Sequence, residues 1–182
     1  MNTPNKLTLL RIILIPILLV FVYKITPDNS MFSWISVVLF ALISITDTLD
    51  GHLARKNNQI TDFGKFLDPL ADKIFVLSTM IALVDIGLLS SVAVIIVIVR
   101  EFLVTSLRLV ASKDVVIAAS IWGKMKTVIQ MITLILVLLT HQIKAVIPFP
   151  IIEISVILMI IATIFSGLEY LVKNMKYIDY RK

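Results

Sequence analysis

Ser33-Trp-Ile-Ser-Val-Val-Leu-Phe-Ala-Leu-Ile-Ser-Ile-Thr-Asp47-Thr-Leu-Asp50-Gly51-His-Leu-Ala54-Arg55 is an apolar run long enough to cross a bilayer that ends in a cluster of charge. The hydrocarbon layer takes about 20 residues of helix. Runs of that kind recur at 7–24, 33–55, 63–86, 90–111, 121–140 and 150–172. Of the 182 residues, 59% are hydrophobic and 16% charged, and the mean hydropathy is +1.01. A soluble domain carries about 25% charged residues, so the reading is an all-α, polytopic membrane protein with six spans. The length suits one domain over 1–182.

Basic residues set the expected orientation. Lys6 and Arg11 flank the first span, and Arg55, Lys56, Lys65 and Lys73 surround the second connection. Lys113, Lys124 and Lys126 surround the fourth, and Lys173, Lys176, Arg181 and Lys182 follow the last span. This bias predicts both termini on the cytoplasmic side. The net charge of +5 comes with no interleaved basic and aromatic run, so it points to anionic lipid and not to nucleic acid. The chain has no cysteine, which excludes disulfides and thiolate metal sites. Met1 to Tyr23 lacks a small-residue cleavage site and reads as a retained helix, not a signal peptide.

Five of the 12 acidic residues fall between Asp47 and Asp72. Asp47 and Asp50 are i,i+3 and Asp68 and Asp72 are i,i+4, so each pair shares a helix face. The short connection makes the two helices antiparallel neighbours. Four aspartates at the centre of the membrane would cost on the order of 10 kcal/mol, and less near the interface. Converging carboxylates also repel and raise one another's pKa. A hard divalent cation removes both difficulties, and all-oxygen ligation favours Mg²⁺, Mn²⁺ or Ca²⁺ over zinc. Gly51 and Ala54 strip one helix face of side chains, so that a ligand can approach the backbone, and Arg55 stands within reach of a phosphate.

Asp47-Thr-Leu-Asp50-Gly51-His-Leu-Ala54-Arg55, an eight-residue gap, and Gly64-Lys-Phe-Leu-Asp68-Pro-Leu-Ala-Asp72 together resemble the signature of the CDP-alcohol phosphotransferase family at every defining position. The resemblance implies a six-helix fold and often a homodimer. It implies that Asp47, Asp50, Asp68 and Asp72 hold Mg²⁺ or Mn²⁺, with Asp72 as general base. Asp47, Asp50, Gly51, Ala54, Arg55 and Gly64 would bind the CDP-lipid, with contacts from Asn5 and Thr8 in Pro4-Asn5-Lys6-Leu7-Thr8-Leu-Leu-Arg11. Arg100-Glu-Phe-Leu-Val-Thr-Ser-Leu-Arg108 and Gly123-Lys124-Met-Lys126-Thr127-Val-Ile-Gln130 look like segments of members that join CDP-diacylglycerol to glycerol 3-phosphate. A phosphate-bearing acceptor needs cationic donors, and Arg100, Lys124, Lys126 and Arg108 are the candidates.

The competing readings are a sibling enzyme with another acceptor (making cardiolipin, phosphatidylserine or a phosphoinositide) and a cation transporter with an acidic site. Plainer accounts also exist residue by residue. The aspartates can form a solvated helix end, Arg100 can pair with Glu101 or with an acid of another span, and Lys124 and Lys126 can serve orientation alone. A chain this economical suggests a lipid-synthesising enzyme of a bacterial plasma membrane with its active site facing the cytoplasm.

Overall fold

The computed structural model describes residues 3–56, 62–111, 120–147 and 150–175, with the side chains at 3–6, 47–56, 62–63, 65 and 110–111 left aside. Within these residues the regular structure is helical: α1 Thr3–Val22, α2 Ser30–Lys56, α3 Asp62–Asp85, α4 Ser91–Ala111, α5 Ile121–Leu138, α6 Thr140–Val146 and α7 Ile151–Asn174. All six expected apolar segments are helices, with ends displaced by up to a turn. The short α6 lies where the sequence from His141 to Pro150, which holds two prolines, reads as a polar connection between the last two apolar runs. His141 to Val146 contains neither glycine nor proline, so nothing breaks the backbone before Pro148.

Local chemistry explains the turns. The Asn29 side chain accepts a 3.0 Å hydrogen bond from the Met31 N–H and so caps the start of α2. After α3, Gly87 adopts φ 75°, the Leu88 N–H reaches the Leu83 carbonyl at 2.8 Å, and the Gly87 N–H reaches Val84 at 2.9 Å. This paired closure of a helix end needs a left-handed residue, which glycine supplies without a Cβ penalty.

The chain divides into two compact units, Met1–Leu89 with Val137–Pro148, and Ser90–Leu136 with Phe149–Lys182. In the first, α1 packs against both α2 and α3. Leu18 and Val22 of α1, Phe40 and Ile43 of α2, and Phe75, Met80 and Leu83 of α3 are buried there. The rings of Phe40 and Phe75 sit 4.7 Å apart, a pairing that contributes about 0.5–1.5 kcal/mol beyond its buried area. In the second unit α4 packs against α7. The Thr133 hydroxyl of α5 donates to the Ser155 carbonyl of α7 at 3.1 Å, and Trp122 meets Phe165 edge-on at 4.7 Å.

Both units have polar residues inside and apolar residues outside. Buried positions include Thr8, Arg11, Ser33, Ser36 and Thr79 in one unit and Lys126, Gln130, Thr163 and Ser166 in the other. Exposed positions include Ile13, Ile17, Val38, Leu42, Ile157, Ile161 and Leu168. Continuous apolar surface of this kind marks contact with something other than water. The hydroxyls of Ser44, Thr79, Thr105 and Thr163 each donate to the carbonyl four residues earlier, which satisfies them inside their own helix. A hydrocarbon surrounding demands that economy. By length and composition α5 and α7 are long and apolar enough to cross a membrane.

Candidate functional site

The acidic segment lies at one end of the first unit. Phe40 and Phe75 face each other, and position 47 is seven residues beyond the first while Asp68 is seven residues before the second. Seven residues are two turns, about 10 Å, and return a helix to nearly the same face. Positions 47 and 68 are thus each two turns of helix away from the Phe40–Phe75 ring pair. The side chains of Asp47, Asp50, Gly51, Ala54 and Arg55 lie outside the described residues, as does that of Asn5, although the helices that carry them are described.

Asp68 and Asp72 are half-buried on α3, one turn apart, and Gly64 is buried a turn earlier. Thr8, which is 1% exposed, donates from its Oγ1 to Asp68 Oδ1 at 2.7 Å. A charge-assisted bond of this length fixes the carboxylate and leaves its second oxygen for other work. Two hard oxygen donors on one helix face, one of them braced from α1, fit the chemistry of a Mg²⁺ or Mn²⁺ site.

The cationic candidates lie in the second unit. Arg100, Arg108 and Lys124 line one cavity of about 190 Å³, together with Val104, Ser120, Gly123, Thr127 and Tyr170. Among the described residues no carboxylate lines it. Arg100 is held from two sides: Nη1 donates to Glu101 Oε1 at 2.9 Å and Nη2 to Ser166 Oγ at 2.6 Å. Its pairing with Glu101 is therefore real, and the guanidinium nevertheless borders the cavity. Gly167 makes room for its stem, because a Cβ there would lie 3.2 Å from Arg100 Cγ.

Lys126 takes a different place. It is 3% exposed, donates to Glu101 Oε1 at 2.7 Å and also to Gln130 Oε1, and is not among the residues lining the basic cavity. Glu101 thus accepts from two cations through one oxygen and balances charge inside the unit.

Sequence reasoning did not single out Ser120, Ser166, Gly167 or Tyr170. The available signal was on α7, where a serine, a glycine and a tyrosine at 166, 167 and 170 interrupt an apolar helix within one turn.

A model of the CDP-alcohol phosphatidyltransferase family matches residues 1–168. The chain is 40% identical to the CDP-diacylglycerol--glycerol-3-phosphate 3-phosphatidyltransferase of Bacillus subtilis, across 95% of each chain. It is 36% identical to the Rickettsia felis protein of the same name, across 97% of each. A probable phosphatidylglycerophosphate synthase of Mycobacterium tuberculosis is 33% identical, across 96% of this chain and 82% of that one. With the signature, the helical fold and the match over most of its length in agreement, this chain belongs to the CDP-alcohol phosphatidyltransferase family.

Proposed function

We propose that the protein transfers the phosphatidyl group of CDP-diacylglycerol to glycerol 3-phosphate, forming phosphatidylglycerophosphate and CMP in phospholipid synthesis. The observation that carries the acceptor is the cavity with Arg100, Arg108 and Lys124 on its wall, where Glu101 pairs with Arg100 from outside the lining. A phosphate monoester matches that lining, whereas serine, a zwitterion bearing its own ammonium, does not. The relatives named for this reaction support the same choice.

In the reaction a hydroxyl oxygen of glycerol 3-phosphate bonds to the lipid-side phosphorus of the diphosphate. The bond from that phosphorus to the bridging oxygen breaks, and CMP leaves with the electron pair. Asp72 takes the hydroxyl proton, a role worth about 10²–10⁴ in rate. Asp47, Asp50, Asp68 and Asp72 hold a divalent cation, Mg²⁺ or Mn²⁺, which when bound neutralises charge on the diphosphate and on departing CMP. Thr8 holds Asp68 in place. Gly51, Ala54 and Gly64 admit the nucleotide, with Arg55 and Asn5 near its polar end. Arg100, Arg108 and Lys124 bind the acceptor's phosphate, and Lys126 acts on Arg100 through Glu101.

The same proposal takes α1 to α5 and α7 as six crossings, with α6, of 7 residues, too short to span. In this reading both termini and the active site face the cytoplasmic side of a bacterial plasma membrane, which the bias of basic residues supports. A homodimer rests on the family resemblance alone.

The test is CMP release by purified protein given CDP-diacylglycerol and Mg²⁺ or Mn²⁺, with glycerol 3-phosphate, phosphatidylglycerol, serine or inositol phosphate. Release with glycerol 3-phosphate alone is expected. Release only with another acceptor overturns the acceptor assignment. Cation flux through liposomes without CMP release overturns the enzyme reading.

A further inference from the structure

The cavity that holds Arg100, Arg108 and Lys124 has on its wall a residue for which the transfer reaction as described has no use. Tyr170 is 3% exposed, and its hydroxyl has no hydrogen-bond partner among the described residues. Arg100 Nε, on the same wall, is likewise buried without one. A buried donor left unsatisfied costs about 1–3 kcal/mol, and native proteins keep few of them.

Tyr170 is not free to turn away and find a partner. Its ring packs with Val104 and Leu107, with Leu103 and Leu171 against that cluster. Its backbone carbonyl accepts from Asn174 Nδ2 at 2.7 Å, as part of the last turn of α7. The neighbouring polar groups do not suit it as acceptors. Arginine and lysine have no acceptor to offer. Thr127 Oγ1 donates to the Gly123 carbonyl at 3.1 Å and Ser120 Oγ accepts from the Gly123 N–H at 3.0 Å, and neither oxygen lies within hydrogen-bond distance of the Tyr170 hydroxyl. The wall therefore presents three cations, an unspent guanidinium N–H and an unspent phenol. One ligand class satisfies all of them together: a small dianion with several oxygens around one centre.

We infer that Tyr170 is a specificity-determining residue, whose hydroxyl donates a hydrogen bond to the phosphate of the acceptor bound in this cavity. The inference rests on the reading of the cavity as the acceptor-phosphate site and adds a neutral donor to its cations. Lysine and exposed arginine side chains attract any anion. A phenol fixed in a packed cluster adds a direction, and so favours a tetrahedral phosphate over a planar carboxylate.

The experiment compares Tyr170→Phe with Lys124→Ala in full-length protein, measuring KM for glycerol 3-phosphate, KM for CDP-diacylglycerol, and the inhibition constant of inorganic phosphate against glycerol 3-phosphate. Phenylalanine keeps the ring in its cluster, and an unchanged KM for CDP-diacylglycerol verifies the fold. Tyr170→Phe is expected to raise KM for glycerol 3-phosphate and the phosphate inhibition constant together, each about tenfold, with kcat changed little. If Lys124→Ala raises both constants and Tyr170→Phe neither, the inference about Tyr170 falls and the acceptor site stands. A raised KM with an unchanged phosphate constant overturns the assignment by placing the hydroxyl on the glycerol part. If neither variant moves either constant, the cavity is not the acceptor site and both readings fall.

Discussion

Thr8 on α1 and Asp68 on α3, 60 residues apart in sequence, are joined by a 2.7 Å hydrogen bond from hydroxyl to carboxylate. Asp68 belongs to the family signature, and Thr8 lies outside it. The bond makes the first helix a structural support for the acidic site, in addition to any contact it makes with the nucleotide.

Replacing Thr8 by valine keeps the branched shape and removes the donor. The apparent affinity for Mn²⁺ or Mg²⁺ is expected to fall about 10–100-fold, the range for partners that orient metal ligands. Thr8→Ser is expected to recover most of it. A metal titration of CMP release separates the two variants, and an unchanged titration for valine would mean that the bond does not orient Asp68.

Asp72→Asn removes the proton acceptor and keeps the volume. Turnover is expected to drop by at least about 10²-fold, while binding of CDP-diacylglycerol stays largely intact. Equilibrium binding and single-turnover measurements check this together. Unchanged turnover would remove Asp72 from the role of base.

Glu101 balances Arg100 and Lys126 with one oxygen, at 2.9 and 2.7 Å. Glu101→Gln leaves two cations without a counter-charge in a largely buried place, and a broken buried pair costs about 3–5 kcal/mol. Thermal unfolding in detergent should show a clear fall in Tm. Combining Glu101→Gln with Lys126→Met removes one of the stranded cations and should restore part of that loss. Equal Tm for the single and double variants would argue against charge balance as the cause.

Gly167→Ala sets two effects against each other. Alanine stabilises a helix interior by about 1 kcal/mol relative to glycine. Its Cβ also lies 3.2 Å from Arg100 Cγ, so the arginine stem has to shift by a few tenths of an ångström. The variant is expected to hold or gain Tm and to raise KM for glycerol 3-phosphate several-fold. A rise in Tm with no change in KM would show that Arg100 tolerates the shift.

Sequence periodicity and composition carried the helical class and all six long segments, because a helix inside hydrocarbon has to be apolar over its whole length. Two details escaped that reasoning. α6 forms where polar residues suggested a loop, since polarity does not break a helix when glycine and proline are absent. The division into two compact units is invisible in composition, because α4 and α5 are as apolar as their neighbours and only packing assigns them to a group.

The acidic site was legible for a related reason. Its residues sit at i,i+3 and i,i+4 within a short stretch, and a cluster of carboxylates in so apolar a chain needs a chemical reason to exist. By itself, then, the sequence determined an apolar helical chain, its family signature and the aspartates to which we assign the chemistry. Tertiary structure alone decided that Thr8 braces Asp68, that Lys126 turns to Glu101 and Gln130, and that Arg100 shares a cavity with Tyr170. Those relationships join residues 25 to 70 positions apart, or depend on which way a long flexible side chain turns. Helical spacing orders neighbours along one helix, and only packing between helices brings such distant groups together.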